Sequence, residues 1–282
     1  MKSQWDCVLK NLGEWVGSFT TVTPQGELIE DIPSIINLPG IRDNQAIHLV
    51  LKRFYPLPNS TEKYAKEVVW DFSTPPGIGA LYFETGAFSS GALTVYVGVK
   101  TIAEFSLRAG DRRFRMIQTF DVTQQLDRVT FVREQLQGSA TPELPHLEIA
   151  DLLGTWAGIA TTLYADDRPS IEVKTHSTFT VSETGYQLIE QELSIDLTVD
   201  PHTPAARLWQ FINRSDSQSY QLLLLPDRGY AITPTKIKLG HAFNLEIGWI
   251  HQTNQRQRLL RRYDSSGKWE SATFFVEQIE LS

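Results

Sequence analysis

The chain has 282 residues, 41% hydrophobic and 21% charged, enough to bury two cores of ordinary size. Its net charge is −7, with 14 basic and 15 acidic residues up to Ala140 against 12 and 18 beyond, and no cluster of Lys and Arg argues for a nucleic-acid partner. Cys7 is the single cysteine, which excludes an intramolecular disulfide and a cysteine metal cluster, and no apolar run approaches membrane-spanning length.

A cytoplasmic protein is expected, or a stromal one if a transit peptide has been trimmed. Trp5, Val8, Leu9 and Leu12 recur at helical spacing and predict a short amphipathic helix. It leads into Leu12-Gly13-Glu14-Trp15-Val16-Gly17-Ser18-Phe19-Thr20-Thr21. A glycine two residues before a tryptophan admits a crowded backbone corner, and the indole plugs the end of the sheet that the strand begins. Further strands are expected over 47–55, 66–72, 80–84, 93–99, 103–108, 112–121 and 128–136. Pro75-Pro76-Gly77, Ser89-Ser90-Gly91 and Ala109-Gly110-Asp111 read as the turns between them. Strands this frequent, with no long helical pattern, predict an antiparallel all-β fold.

Residues 138–145 (Gly-Ser-Ala-Thr-Pro-Glu-Leu-Pro) have linker composition and divide the chain into domains at 1–138 and 145–282. The plan then restarts. A helical stretch near 147–153 precedes Leu153-Gly154-Thr155-Trp156-Ala157-Gly158-Ile159-Ala160-Thr161-Thr162, and strands follow over 171–181, 188–199, 207–213, 220–225, 230–233, 243–251, 256–263 and 269–279. In 188–199, Ile189, Leu193, Ile195, Leu197 and Val199 oppose Glu190, Glu192, Ser194, Asp196 and Thr198, the pattern of one half-buried strand. The two Gly-x-Trp openings stand 141 residues apart. The closing segments repeat at an offset of 143: Arg113-Phe114-Arg115 with Arg256-Gln257-Arg258, and Glu134-Gln135 with Glu277-Gln278. A near-constant offset at both ends means a duplicated half.

Barrels of about eight to ten strands hold one small ligand, with inward and outward residues alternating. Phe114, Met116, Gln118 and Phe120 share the more apolar face and are taken as interior, which transfers to Gln257, Leu259, Arg261 and Tyr263 in the second barrel. An inward Arg261 beside Tyr263 offers a planar fork of donors to a carboxylate at low dielectric; the competing reading solvates Arg261 or pairs it with a buried glutamate. Trp249 and His251 share a face with Phe243, Leu245 and Ile247, and Trp209 shares one with Phe211 and Arg207. These are core aromatics, or the aromatic wall of a ligand site. The candidate ligand-binding residues are therefore Arg261, Tyr263, Trp249, Trp209, His251 and Gln118.

Catalytic templates fail. Ser89 in Gly86-Ala87-Phe88-Ser89-Ser90-Gly91 is no nucleophile elbow, and Gly77-Ile78-Gly79 lacks the rest of a dinucleotide fingerprint. The six histidines have no metal-ligand spacing, and Glu190 and Glu192 lie on a polar face. No catalytic residue, metal or cofactor is predicted.

The two Gly-x-Trp openings, the duplicated Arg-x-Arg strand and the closing Glu-Gln strands resemble, over nearly the whole chain, a cyanobacterial and plant family of unknown function. That family is built from tandem lipocalin-like (calycin) barrels. The resemblance implies two such antiparallel barrels, each led by a short helix, and no established activity. A more distant likeness to S/U-type bilin chromophore lyases and fatty-acid-binding proteins implies a bilin or fatty-acid ligand. It also implies a phycobiliprotein partner. Arg261-x-Tyr263 looks like the carboxylate anchor of the fatty-acid binders, although on the penultimate strand rather than the last. Three functions stay open: a non-enzymatic carrier of a small hydrophobic carboxylated ligand, a bilin-lyase-like catalyst, and an interaction module with filled barrels.

Overall fold

The chain is described by a computed structural model over residues 2–57, 62–74, 77–182, 185–190, 193–199, 208–213 and 218–280, with side chains described outside 181–217. A helix, α1 (Gln4–Val8), opens it and continues as a 3-10 turn, Leu9–Asn11. Ser3 caps α1, its hydroxyl accepting from the Asp6 amide while the Asp6 carboxylate accepts from the Ser3 amide.

The first sheet comprises β1 (Gly13–Val22), β2 (Leu28–Leu38), β3 (Gly40–Ile41), β4 (Ala46–Pro56) and β5 (Lys63–Ser73). It continues with β6 (Ala80–Tyr82), β7 (Phe88–Gly91), β8 (Thr101–Ala109), β9 (Arg112–Phe120) and β10 (Leu126–Leu136). Its order is β3-β4-β2-β1-β10-β9-β8-β7-β6, with β5 added on β4, so it curls as a half-barrel whose edges are not joined among the described residues.

A 3-10 turn, Ile149–Leu152, leads into the second sheet. Its strands are β11 (Gly154–Tyr164), β12 (Ile171–Ser182), β13 (Gly185–Glu190), β14 (Leu193–Val199) and β15 (Leu208–Asn213). Then come β16 (Gln218–Leu224), β17 (Gly229–Pro234), β18 (Phe243–Gln252), β19 (Gln255–Tyr263) and β20 (Trp269–Ile279). These pair in sequence order and close, β20 returning to β11. The fold is all-β and antiparallel, as expected.

The repeated motif has the same job in both halves. Trp15 Nε1 donates to the Asn11 carbonyl at 3.0 Å and Trp156 Nε1 to the Leu152 carbonyl at 2.9 Å, which ties each opening strand to its leading turn. The second glycine of each motif lets the last strand cross close by. A Cβ on Gly17 would stand 1.9 Å from the Arg133 carbonyl oxygen, and one on Gly158 2.0 Å from that of Val276.

Four element expectations are corrected. Residues 28–38, not expected as a strand, form β2; its first four residues are exposed and it contains Pro33, so its alternation is weak. Residues 93–99 form no strand beyond one bridge at Thr94, because only Val95 of its apolar residues is buried while Val97 and Val99 face solvent. Ser89-Ser90-Gly91 lies in β7 rather than in a turn. The single strand at 188–199 is a hairpin, β13 and β14, with Glu190 paired to Leu193.

The largest hydrophobic cluster among the described residues lies between the halves, not inside either. Phe105, Leu107, Phe114, Met116, Phe120 and Phe131 of the first sheet meet Phe243, Leu245, Ile247, Trp249, Leu259 and Tyr263 of the second. Two sheets packed face to face over this much apolar side chain cannot separate without exposing it to water. The junction is reciprocal. Val95 N donates to the Gly267 carbonyl at 2.8 Å and Ile237 N to that of Gln124 at 2.9 Å. Trp269 N donates to the Leu93 carbonyl at 2.8 Å and Leu126 N to that of Thr235 at 3.0 Å. Offsets of 142 and 143 turn each donor–acceptor pair into the other, so the duplicated halves meet like the subunits of a two-fold dimer.

Candidate functional site

The face formed by Phe114, Met116, Gln118 and Phe120 is buried, but it faces the other half and not the barrel interior. Phe114 stacks on Trp249 with ring centres 6.0 Å apart, and Gln118 Nε2 donates to the Glu246 carbonyl at 3.1 Å. Gln257 Nε2 answers by donating to the Arg108 carbonyl at 2.9 Å. The more apolar face of β9 and β19 belongs to the junction, and the other is buried at Arg113, Arg256 and Arg258 but exposed at Arg262.

Arg261 and Tyr263 are brought together there and are fully buried. Arg261 Nε donates to Tyr263 Oη at 2.8 Å, Nη1 to the Gly79 carbonyl at 3.2 Å and to Ser89 Oγ at 3.4 Å, and Nη2 to the Ala92 carbonyl at 3.0 Å. Its guanidinium also lies 3.8 Å from the Trp269 ring centre. Tyr263 Oη donates to the Ala92 carbonyl at 2.9 Å. Burial pulls the Arg261 guanidinium down from its ordinary range and pushes the Tyr263 phenol up. Arg261 thus joins the second sheet to the 79–92 segment of the first.

Trp249 Nε1 donates to the Asp227 carbonyl at 2.9 Å, and the His251 ring lies 5.5 Å from the indole. Nδ1 of His251 has no hydrogen-bond partner, and burial lowers the pKa of the ring. The Trp209 side chain lies outside the described residues.

The opposite face of the same strands points into each barrel and carries charge. In the first half Arg113 Nε donates to Glu134 Oε2 at 2.7 Å. Arg115 reaches Glu134 Oε1 at 3.3 Å and Glu104 Oε1 at 2.5 Å. In the second half Arg256 Nε and Arg258 Nε lie 2.8 and 3.0 Å from Glu277 Oε2, and Arg258 Nη1 lies 3.1 Å from Glu246 Oε1. The first arginine of each pair covers the opening tryptophan, Arg113 4.3 Å above Trp15 and Arg256 4.6 Å above Trp156. Burial lowers Arg113, whereas for Arg115 the two glutamates outweigh burial and raise it. The sequence had displayed these residues as landmarks of the repeat. Their doubling, which aligned the halves, was also the signal that they share a role.

In the first half a cavity of about 330 Å3 opens over this cluster. Its walls include Leu38, Leu49, Leu51, Phe72 and Phe88, and its floor Glu104, Arg113 and Arg115. Trp70 and Ile78 stand at its mouth, 46% and 91% exposed. Tyr82 lines it, and burial, helped by Glu104, pushes its phenol up to about 12. Among the described residues no group of His, Cys, Asp and Glu could hold a metal ion, and no helix is long and apolar enough to cross a membrane.

Two curled antiparallel sheets, joined back to back and each with a buried arginine–glutamate cluster behind its opening tryptophan, define a duplicated all-β protein. Residues 1–139 match the N-terminal domain of unknown function DUF3598, and residues 143–279 match the C-terminal domain of a biogenesis factor required for ATP synthase. The chain belongs to the DUF3598 family, whose function is unknown. A DUF3598 protein of unknown function from Nostoc punctiforme is 34% identical with a TM-score of 0.88, covering 99% of this chain and 100% of that one.

A putative outer membrane protein from Bacteroides fragilis is 8% identical with a TM-score of 0.23, covering 99% of this chain and 100% of its own. An S-type phycobiliprotein lyase from Guillardia theta is 8% identical with a TM-score of 0.17, covering 100% of this chain and 95% of its own. Neither of these two bears on fold or function. No curated protein matches the chain.

Proposed function

We propose that the chain is a binding protein whose N-terminal half-barrel holds one small, elongated apolar molecule with a neutral polar head. The observation that carries this reading is the cavity of about 330 Å3, apolar along its walls and charged only at its floor. A volume at the lower end of the roughly 300–1,000 Å3 typical of small-molecule sites suits a single alkyl chain or a small ring system better than a tetrapyrrole. The head is read from charge. Two guanidiniums and two carboxylates already balance, so a ligand carboxylate would bring an uncompensated charge into a buried site, while a hydroxyl or amide would not.

Nile red, a neutral apolar dye, tests the site. Saturable blue-shifted emission is expected, weakened at least about tenfold by Ala80→Trp, which fills the cavity from its wall, with little change in melting temperature. Absence of saturation, or indifference to Ala80→Trp, removes the reading.

A second reading attaches to the other half. Its match over 143–279 to the C-terminal domain of an ATP synthase biogenesis factor supports a part in the assembly of that kind of complex, through contact with one of its proteins.

A further inference from the structure

The reciprocal junction lets each surface be compared with its counterpart, and one pair of surfaces differs in kind. In the first half Ser18 and Arg133 sit opposite each other on β1 and β10. Arg133 donates to Ser18 Oγ at 3.0 Å, to Thr20 Oγ1 at 3.1 Å and to Glu143 Oε2 at 2.9 Å. Glu143 belongs to the extended connection between the halves, whose residues 139–143 line a groove over β1 and β10 together with Val16, Gly17 and Arg133. A strip of extended chain is thus held on this face by an ion pair.

The counterparts of Ser18 and Arg133 are Ile159 and Val276, which pair in the same register on β11 and β20. They are 47% and 46% exposed, so no described part of the chain covers them as 139–143 covers the first face. A groove of about 490 Å3 runs beside them, walled by Phe83, Leu163 and Phe274 and rimmed by Lys2, Glu84 and Glu172. It is continuous with the junction, since Phe83, Leu163 and Phe274 belong to the shared core. Its lining holds two carboxylates and one ammonium, with Lys174 beside Ile159 across β11 and β12, so no guanidinium waits here for a carboxylate as Arg133 does on the first face.

We infer that this groove is a docking site for an extended segment of a partner protein, which lays an aliphatic side chain on Ile159 and Val276 where the connection lays Glu143 on Arg133. The segment brings no acidic group to the rim. Side chains of the closed barrel make the contact, because β11 and β20 have no free edge to extend. The inference is independent of the cavity reading. It rests in part on the assembly reading for the origin of the partner, but its test reads the groove alone.

The probe is a labelled synthetic peptide copying residues 137–147 of this chain, in its natural sequence and with Glu143→Leu, titrated into the full chain by fluorescence anisotropy. The Glu143→Leu peptide should bind at least about tenfold more tightly than the natural one. The double variant Ile159→Ser with Val276→Arg, which copies the first face, should reverse that order. Ala80→Trp should leave peptide binding unchanged, which separates this site from the cavity. The inference is overturned if neither peptide binds, or if the double variant does not change the preference. It is also overturned if sedimentation shows a dimer that Ile159→Ser dissociates, because the occupant is then a second copy.

Discussion

Glu277 Oε2 lies 3.0 Å from Arg258 Nε in a site where neither side chain reaches solvent, and the same oxygen lies 2.8 Å from Arg256 Nε. One carboxylate therefore serves two guanidiniums. Burial pushes the Glu277 carboxyl up, but Arg258 and Arg256 outweigh it and hold it below the usual carboxylate range. A folded-state pKa below the unfolded value of about 4.3 gives stability that is complete above that value and fades as pH falls through the folded one. Glu277→Gln strands Arg256 and leaves Arg258 with Glu246, and should cost about 3–5 kcal/mol at pH 7. Urea unfolding at pH 7 and pH 3 checks it: the gap between wild type and variant should narrow at the lower pH. A gap of the same size at both would mean that the ion pairs are not its source.

The junction makes a prediction of its own. A Cβ on Gly229 would stand 2.1 Å from Phe114 Cζ, so a methyl group there must displace a ring that stacks on Trp249. Gly229→Ala should cost about 1–3 kcal/mol by overpacking. Adding Phe114→Leu should recover part of the loss, since the two sites touch and their effects do not add. If the double variant is as unstable as the sum of the single ones, the two residues do not share this contact.

Arg261 separates a structural tie from a ligand anchor. Four donations to Tyr263, Ser89 and the Gly79 and Ala92 carbonyls occupy its fork. Arg261→Met should therefore lower stability by about 1–3 kcal/mol, because Tyr263 Oη and Ser89 Oγ lose a charged donor and the Gly79 and Ala92 carbonyls keep only the Gly91 amide and Tyr263 Oη. Binding of Nile red should stay the same. Retained stability with lost binding of hexadecanoate would instead restore the carboxylate site expected at Arg261 and Tyr263.

The duplication and the antiparallel class were legible because glycine and tryptophan have geometric duties that recur wherever the corner recurs. Gly17 and Gly158 are required by backbones that nearly touch, and Trp15 and Trp156 by their bonds to the leading turns. The location of the site was not legible. Alternation says that Phe114 and Arg115 point to opposite sides, but not which side is the barrel, and an apolar face reads as interior when a second sheet covers the outside. The partners of Arg113 and Arg115 were not legible either, since Glu134 and Glu104 lie on neighbouring strands. Pairing between strands is information that a single sequence does not display.

The charge balance at the cavity floor makes the sharpest prediction about the ligand. Arg115 is shared by Glu104 and Glu134, and Glu104 is the more exposed of the two carboxylates, 29% against none. Glu104→Gln removes one negative charge while Glu134 continues to hold both arginines, so the floor becomes cationic without stranding a guanidinium. Hexadecanol should displace Nile red from the wild type better than hexadecanoate does. In the variant the order should reverse, with hexadecanoate gaining at least about tenfold, the size of one charge-assisted hydrogen bond of about 1.5–3 kcal/mol. The gain should shrink in high salt less than a surface effect would, because the floor is shielded from mobile ions. If hexadecanoate binds equally well to both proteins, the head of the ligand does not meet the arginines, and the molecule lies in the cavity with its polar end toward Trp70 and Ile78.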